Sequence, residues 1–263
     1  MSVAGRYRIG QIVPSSNVTM ETEVPELFRR REQLHPERFT FHSSRMRMTE
    51  VTAEKLAAMD AESDRCAVEL SDAHVDVLGY ACLVAIMSIG PGYHRTSEAR
   101  LREATADNGA DAPVVTSAGA LVDGLRILGA RKVVAITPYL PELARTVMDY
   151  IEGEGVRVLD HVALGVPGNL EVAAQDQRNL VRIARELDRP DADVVVLSAC
   201  VQMPSLDVVQ EVEDELGKPV VSTAICTAHR MMRAIGLPAE ASGAGSLLGG
   251  DYALADAPTE ALS

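Results

Sequence analysis

The sequence predicts an α/β fold of βα units around parallel sheet, arranged as two related halves. Three observations carry this reading. Short β-branched runs alternate with helical patterns along the chain. The order of pieces repeats: "YRIGQIVPSSN" is echoed by "KVVAITPYLPE", "DVLGYACLVAIM" by "DVVVLSACVQMP", and "APVVTSAGALVDGLRILG" by "KPVVSTAICTAHRMMRAIG". One echo could arise from strand composition alone, but three in the same order argue for duplication. Aromatic residues make up only 3% of the chain and Trp is absent, so Val, Leu, Ile, Ala and Met must build the core. That composition suits buried parallel strands better than an aromatic-rich sandwich.

Taken in order, strands are expected over 7–13, 38–43, 75–79, 113–115, 133–137, 157–164, 194–197 and 219–222. Helices are expected over 52–70, 141–151, 170–187, 206–216 and 224–235. The first of these places Leu56, Met59 and Cys66 on one face and charges on the other. Thr49, Glu50 and Thr52 give it a polar start. The segment from Ala239 is rich in Ala, Gly and Ser and contains "GAGSLLGG". Its spacing does not fit a dinucleotide loop and no strand precedes it, so a loosely packed tail is expected. The expected division of the chain is a first α/β half (1–108 plus 216–250), a second half (109–215) and a flexible tail (251–263).

At 263 residues with 47% apolar content the chain can bury a substantial core. A net charge of −13 repels nucleic acid and anionic lipid, and no basic footprint is present. No apolar stretch approaches the roughly 20 residues that span a bilayer, and residues 1–8 carry no apolar run of a signal-peptide kind. A cytoplasmic protein with no nucleic-acid or membrane partner is expected. The four cysteines, Cys66, Cys82, Cys200 and Cys226, form no C-x-x-C pair and lie near no histidine cluster, so no metal site is expected.

Cys82 and Cys200 each follow an Ala and an apolar strand, at equivalent places in the two halves. Ligands of open parallel sheets bind beyond the carboxyl ends of strands. A lone cysteine there is as often a small buried hydrophobe as a nucleophile; two at equivalent strand ends favour function, across a cleft between the halves. An ordinary thiol pKa of about 8.5 calls for activation. Helix N-termini are expected directly after each cysteine, with backbone N–H groups around Val84 and Val201 supporting a thiolate and binding an anion. Strand-end loops add Asn17 from "PSSN", Tyr139 from "TPY" and Asn169 from "VPGN", neutral groups suited to holding a carboxylate. Both asparagines equally suit helix N-caps. Glu21 and Glu23 read as a solvated first helical turn, His74 and His94 as structural or surface groups, and Cys66, Cys226 and the methionines Met46, Met48, Met231 and Met232 as packing.

The flanks "GYACLVAIMSIGPGYH" and "LSACVQMPSL", with "PSSNVTMETEVP", resemble the maleate cis–trans isomerases of the aspartate/glutamate racemase superfamily. The likeness runs from about residue 9 to 237. Amino-acid racemases of the superfamily follow their cysteines with Asn-Thr and Thr-His, where this chain has Leu83-Val84 and Val201-Gln202. Arylmalonate decarboxylases keep only the second cysteine, so Cys82 counts against them. The resemblance implies two four-stranded parallel halves, a site between them, no cofactor, a small dicarboxylate substrate and a homodimer. It implies Cys82 as nucleophile, Cys200 as acid/base partner, and Asn17, Tyr139 and Asn169 as carboxylate binders. The alternatives are a two-cysteine amino-acid or hydantoin racemase and a non-catalytic dicarboxylate-binding protein of two lobes.

Overall fold

Eight short apolar runs form eight parallel strands in two four-stranded sheets. The computed structural model describes residues 5–48 and 52–257, so the polar start at Thr49 and Glu50 and the chain beyond 257 lie outside the described residues. The first sheet is built from β1 (Arg6–Pro14), α1 (Met20–Glu32), β2 (Arg38–Met46), α2 (Ala53–Asp60), α3 (Ser63–Asp72), β3 (Val77–Tyr80), α4 (Leu83–Ile89), α5 (Tyr93–Asp107) and β4 (Val114–Thr116), followed by α6 (Ser117–Ile127). The second is built from β5 (Lys132–Thr137), α7 (Pro141–Gly153), β6 (Arg157–Ala163), α8 (Asn169–Ala173), α9 (Gln177–Leu187), β7 (Val194–Ser198), α10 (Leu206–Leu216) and β8 (Val220–Ser222), followed by α11 (Thr223–Ala234).

Strand order is β2-β1-β3-β4 in one sheet and β6-β5-β7-β8 in the other, the same arrangement twice. The central strands β3 and β7 are buried along their whole length, which is why they read as continuous Val and Leu runs. Edge strands β2 and β6 are only half-buried. Two strands change sides relative to the expected division. Leu78 N–H donates to Pro113 O (2.9 Å) and ties β4 to the first sheet, although it lies beyond residue 108. Val195 N–H donates to Pro219 O (3.0 Å) and ties β8 to the second, although it lies beyond 215. The third echo is therefore the last βα unit of each half. After β8 the chain returns to the first half, because α11 packs on α1, α6 and β3.

Helices α1, α5 and α6 exceed the expected set. Pro25 inside α1 obscures its helical pattern, and α5 buries few apolar side chains. The expected helix over 52–70 breaks between Asp60 and Ser63. That over 170–187 breaks before Asp176, whose carboxylate accepts from Arg178 N (2.9 Å) and caps α9.

The segment after Ala239 is packed, contrary to a loose tail. Ala239, Ala241, Ala244, Leu247 and Leu248 are buried. Small side chains let this backbone approach closely: Ala239 N–H donates to Ala253 O (2.8 Å) and Ala241 N–H to Leu248 O (2.9 Å). The stretch 251–257 is likewise held, with the Tyr252 carbonyl on His229 and Asp256 on Arg233.

Candidate active site

The carboxyl ends of β1, β3, β5 and β7 surround one small cavity. All seven expected site residues line it: Cys82, Cys200, Asn17, Tyr139, Asn169, Val84 and Val201. Pro14, Met48, Leu83 and Gln202 complete the wall, so no Arg, Lys or His reaches it among the described residues. An anion held here is met by neutral donors and backbone N–H groups. A larger depression around Arg95, Arg126, Arg230 and Arg233 contains no cysteine, and each of those arginines is paired with a carboxylate.

The two thiols sit in different surroundings. Cys82 occupies the N-cap position of α4 with φ +136° and ψ 79°, a backbone region that strains a residue with a side chain. Its N–H reaches Ser117 Oγ (3.4 Å). Burial pushes the Cys82 thiol up to about 12; the Ala85 N–H in the first turn of α4 opposes this, and nearby Cys200 and Asp60 add to it. Cys200 is also raised by burial, but three donors pull against it: the Tyr139 hydroxyl and the N–H groups of Gln202 and Met203. Gln202 N lies 3.3 Å from its sulfur. Of the two sulfurs, Cys200 is the better supplied with donors.

The expected helix N-terminus after Cys200 is not there. Residues 199–203 bend, and α10 begins only at Leu206. Val201 therefore lies in a turn, whereas Val84 lies in the first turn of α4, where N–H groups have no intrahelical partner. Asn17 lies two residues before Thr19, the cap position of α1, and its Oδ1 accepts from Thr19 N (3.1 Å) and Met20 N (2.9 Å). That leaves its amide NH₂ as the group to offer a ligand. Asn169 is the first residue of α8 with Gly168 in the cap position, and its Nδ2 donates to Ser16 Oγ (2.8 Å).

Two residues that hold the segments around the site lie beyond what the sequence pattern reveals. Gln202 is 2% exposed and bonds to the loops carrying Asn17 and Asn169; its place two residues after Cys200 was the available signal. Glu23 is not a solvated first-turn residue. It is buried and accepts from Ser205 N (2.6 Å) and Leu206 N (2.8 Å), capping α10 from the opposite half. Burial pushes its carboxyl up to about 7, against those two N–H groups, which pull it down. Glu21, by contrast, pairs with Arg45 at the surface. His74 is exposed, and His94 is buried against the Tyr150 hydroxyl, away from the cysteines. Cys66 and Cys226 are core residues of α3 and α11.

Two thiols facing one small cavity, with neutral donors around them, can add to and leave an electrophilic carbon or move a proton between faces of a bound acid. The chain matches the arylmalonate decarboxylase family over residues 9–248. It is 60% identical to the maleate isomerase of Pseudomonas putida, over 94% of this chain and 98% of that one. Among solved structures it resembles a maleate isomerase variant from Pseudomonas putida S16 with maleate (TM-score 0.93, 56% identity, 94% of this chain and 98% of that one). It also resembles a Nocardia farcinica maleate cis–trans isomerase variant with a covalently bound succinylcysteine intermediate (TM-score 0.90, 47% identity, 94% and 100%). With one duplicated fold, paired strand-end cysteines and relatives of this identity along nearly its whole length, the chain belongs to the arylmalonate decarboxylase family and, within it, to the maleate isomerases.

Proposed function

We propose that this enzyme isomerises maleate to fumarate by reversible addition of the Cys82 sulfur to the double bond. The observation that carries the reading is the pair of buried thiols in one cavity without cations, in a chain so close to maleate isomerases. A carbon–carbon double bond cannot rotate until its π bond is broken. Attack of Cys82 Sγ at C2 forms a C–S bond and sends the π electrons through C3 to the far carboxylate as an enediolate. Because burial holds the Cys82 proton tightly, the proton must be taken as the bond forms. Cys200, whose three donors support its thiolate, takes that proton as the base.

The Cys200 thiol then gives that proton to C3, leaving a succinyl-cysteine on Cys82 and a thiolate on Cys200. The succinylcysteine described for the Nocardia relative is an adduct of this composition. Rotation about the new C2–C3 single bond, return of the C3 proton to the Cys200 thiolate and expulsion of the Cys82 sulfur yield the trans acid, and the proton passes from Cys200 back to Cys82 as the C–S bond breaks. Protons and electrons balance with one proton shared between the two sulfurs, so the route needs no cofactor. The Asn17 amide, the Tyr139 hydroxyl, Asn169 and the N–H groups of Val84 and Val201 hold the two carboxylates and steady the enediolate. A racemase would ask the thiols to flank one carbon; the relatives above favour the isomerase over that alternative and over a non-catalytic binder.

We place the enzyme in the cytosol as a homodimer. Free cysteines suit a reducing compartment, no described helix is long and apolar enough to cross a membrane, and two-fold dimers are the commonest oligomers. The test is direct. Maleate incubated with the enzyme and no added cofactor gives fumarate by proton NMR, and Cys82→Ala abolishes it. Full turnover by Cys82→Ala would sink the nucleophile assignment. Peptide mass spectrometry of Cys200→Ser with maleate locates the adduct on Cys82.

A further inference from the structure

Gln202 lines the cavity, yet its side chain has nothing left to offer a substrate. Its Oε1 accepts from Val18 N (2.9 Å) and Thr19 N (3.4 Å). Its Nε2 donates to Ser16 O (3.0 Å) and Asn169 O (2.9 Å). A carboxamide has two donors and two acceptor sites, so these four bonds saturate it. The backbone of the same residue is used as well: its N–H lies on Cys200 Sγ (3.3 Å) and its carbonyl accepts from Thr19 Oγ1 (2.7 Å). Three segments therefore meet on one residue: the turn after Cys200, the loop carrying Asn17 and the start of α8 carrying Asn169.

The pseudo-symmetric position, two residues after Cys82, is Val84, which has no polar side-chain atoms and sits inside α4. The duplication is broken here. After Cys82 the chain enters a helix at once; after Cys200 it bends, and the bend is held at one end by Gln202 and at the other by Glu23 on Ser205 and Leu206. Both holding contacts reach across from the second half to the first.

We propose that Gln202 is a positioning residue that sets the Cys200 sulfur and the Asn17 and Asn169 amides in register across the boundary between the halves. The inference rests on the isomerase reading of the site. Its amide reads the geometry of two loops from opposite halves and passes it, through its own N–H, to the thiol that handles the proton. Displacing reacting groups by about 1 Å costs on the order of 10²-fold in rate, so loss of the clasp appears in both kcat and KM.

The experiment compares wild type, Gln202→Met and Gln202→Glu on maleate, with circular dichroism as the check on folding. Gln202→Met keeps the bulk and removes all four side-chain bonds; kcat/KM falls about 10²-fold, with kcat lowered and KM raised. Gln202→Glu places a carboxylate against the carbonyls of Ser16 and Asn169. Its deficit relative to wild type shrinks as pH falls, because the protonated acid regains a donor. A readout independent of turnover uses iodoacetamide: in a Cys82→Ala background, Gln202→Met raises the pH midpoint of Cys200 alkylation. Gln202→Met within threefold of wild type in kcat and KM, a Gln202→Glu deficit that does not change with pH, or an unmoved alkylation midpoint would overturn the proposal. So would failure of both variants to fold, since Gln202 would then be a pillar of the fold. Wild-type enzyme that leaves maleate unchanged would overturn the isomerase reading instead, and the alkylation midpoint would still test the clasp.

Discussion

Cys82 is the point where local backbone preference and the chemistry of the site disagree most. Its φ of +136° is a conformation that glycine adopts freely and other residues avoid. The strain places the sulfur at the mouth of β3 and the start of α4 together, where Ala85 N–H can reach it. Residues held this way cost about 1–3 kcal/mol each. Cys82→Gly is therefore expected to melt higher than Cys82→Ala, by roughly 1 kcal/mol of stability, while both lack activity. Equal midpoints for the two variants in thermal denaturation would show that no strain is stored there. The two cysteines were legible because each ends an echoed strand. Gln202 was not, because its side-chain partners lie 33 to 186 residues away in the chain and its only local mark is its place two residues after Cys200.

The contact between α1 and α10 is the clearest case of one element completing another. An α-helix begins with N–H groups that lack partners, and α10 finds its acceptor in Glu23, a residue of the opposite half. Asp207 and Arg30 face the same carboxyl with opposing effects. Folded Glu23 keeps its proton up to about pH 7, whereas an unfolded carboxyl loses it near 4.5. Between those values the native state binds more protons than the unfolded one, so this group's contribution falls as pH rises from about 4.5 to about 7. Glu23→Gln keeps an acceptor oxygen and cannot ionise. The difference in melting temperature, variant minus wild type, should grow across that window, and a flat difference would contradict the buried-carboxyl account. Pro25 interrupts the helical pattern of α1, so only its first turn at Glu21 and Glu23 was readable and its capping role was not.

The halves of the whole molecule are interlocked rather than merely adjacent. Helix α11 follows a strand of the second sheet but packs against the first, where Met231 sits so close to Gly79 that a Cβ there would lie 2.8 Å from its sulfur. Gln202 crosses in the same direction and Glu23 in the other. The site cavity lies between the two sheets, so its walls exist only when both halves are formed. Calorimetry should therefore show one cooperative transition, with calorimetric and van't Hoff enthalpies equal. Two resolved transitions would show that the halves unfold independently.

Strand positions, the duplication and the paired cysteines were determined by the sequence alone, because they rest on local periodicity and on repeated order, and both are written along the chain. The neutral character of the cavity wall could be anticipated from Asn17, Tyr139 and Asn169 for the same reason. Tertiary structure decided which sheet takes β4 and β8, since hydrogen bonds between strands carry no sequence signature of their own. It also decided that the segment after Ala239 is packed, because small side chains pack closely only against a surface that the rest of the fold supplies. Above all it decided the inequality of the two thiols. Cys82 and Cys200 look alike in the sequence, but a sulfur's affinity for its proton depends on burial and on donors brought from distant segments, and only folding assembles those.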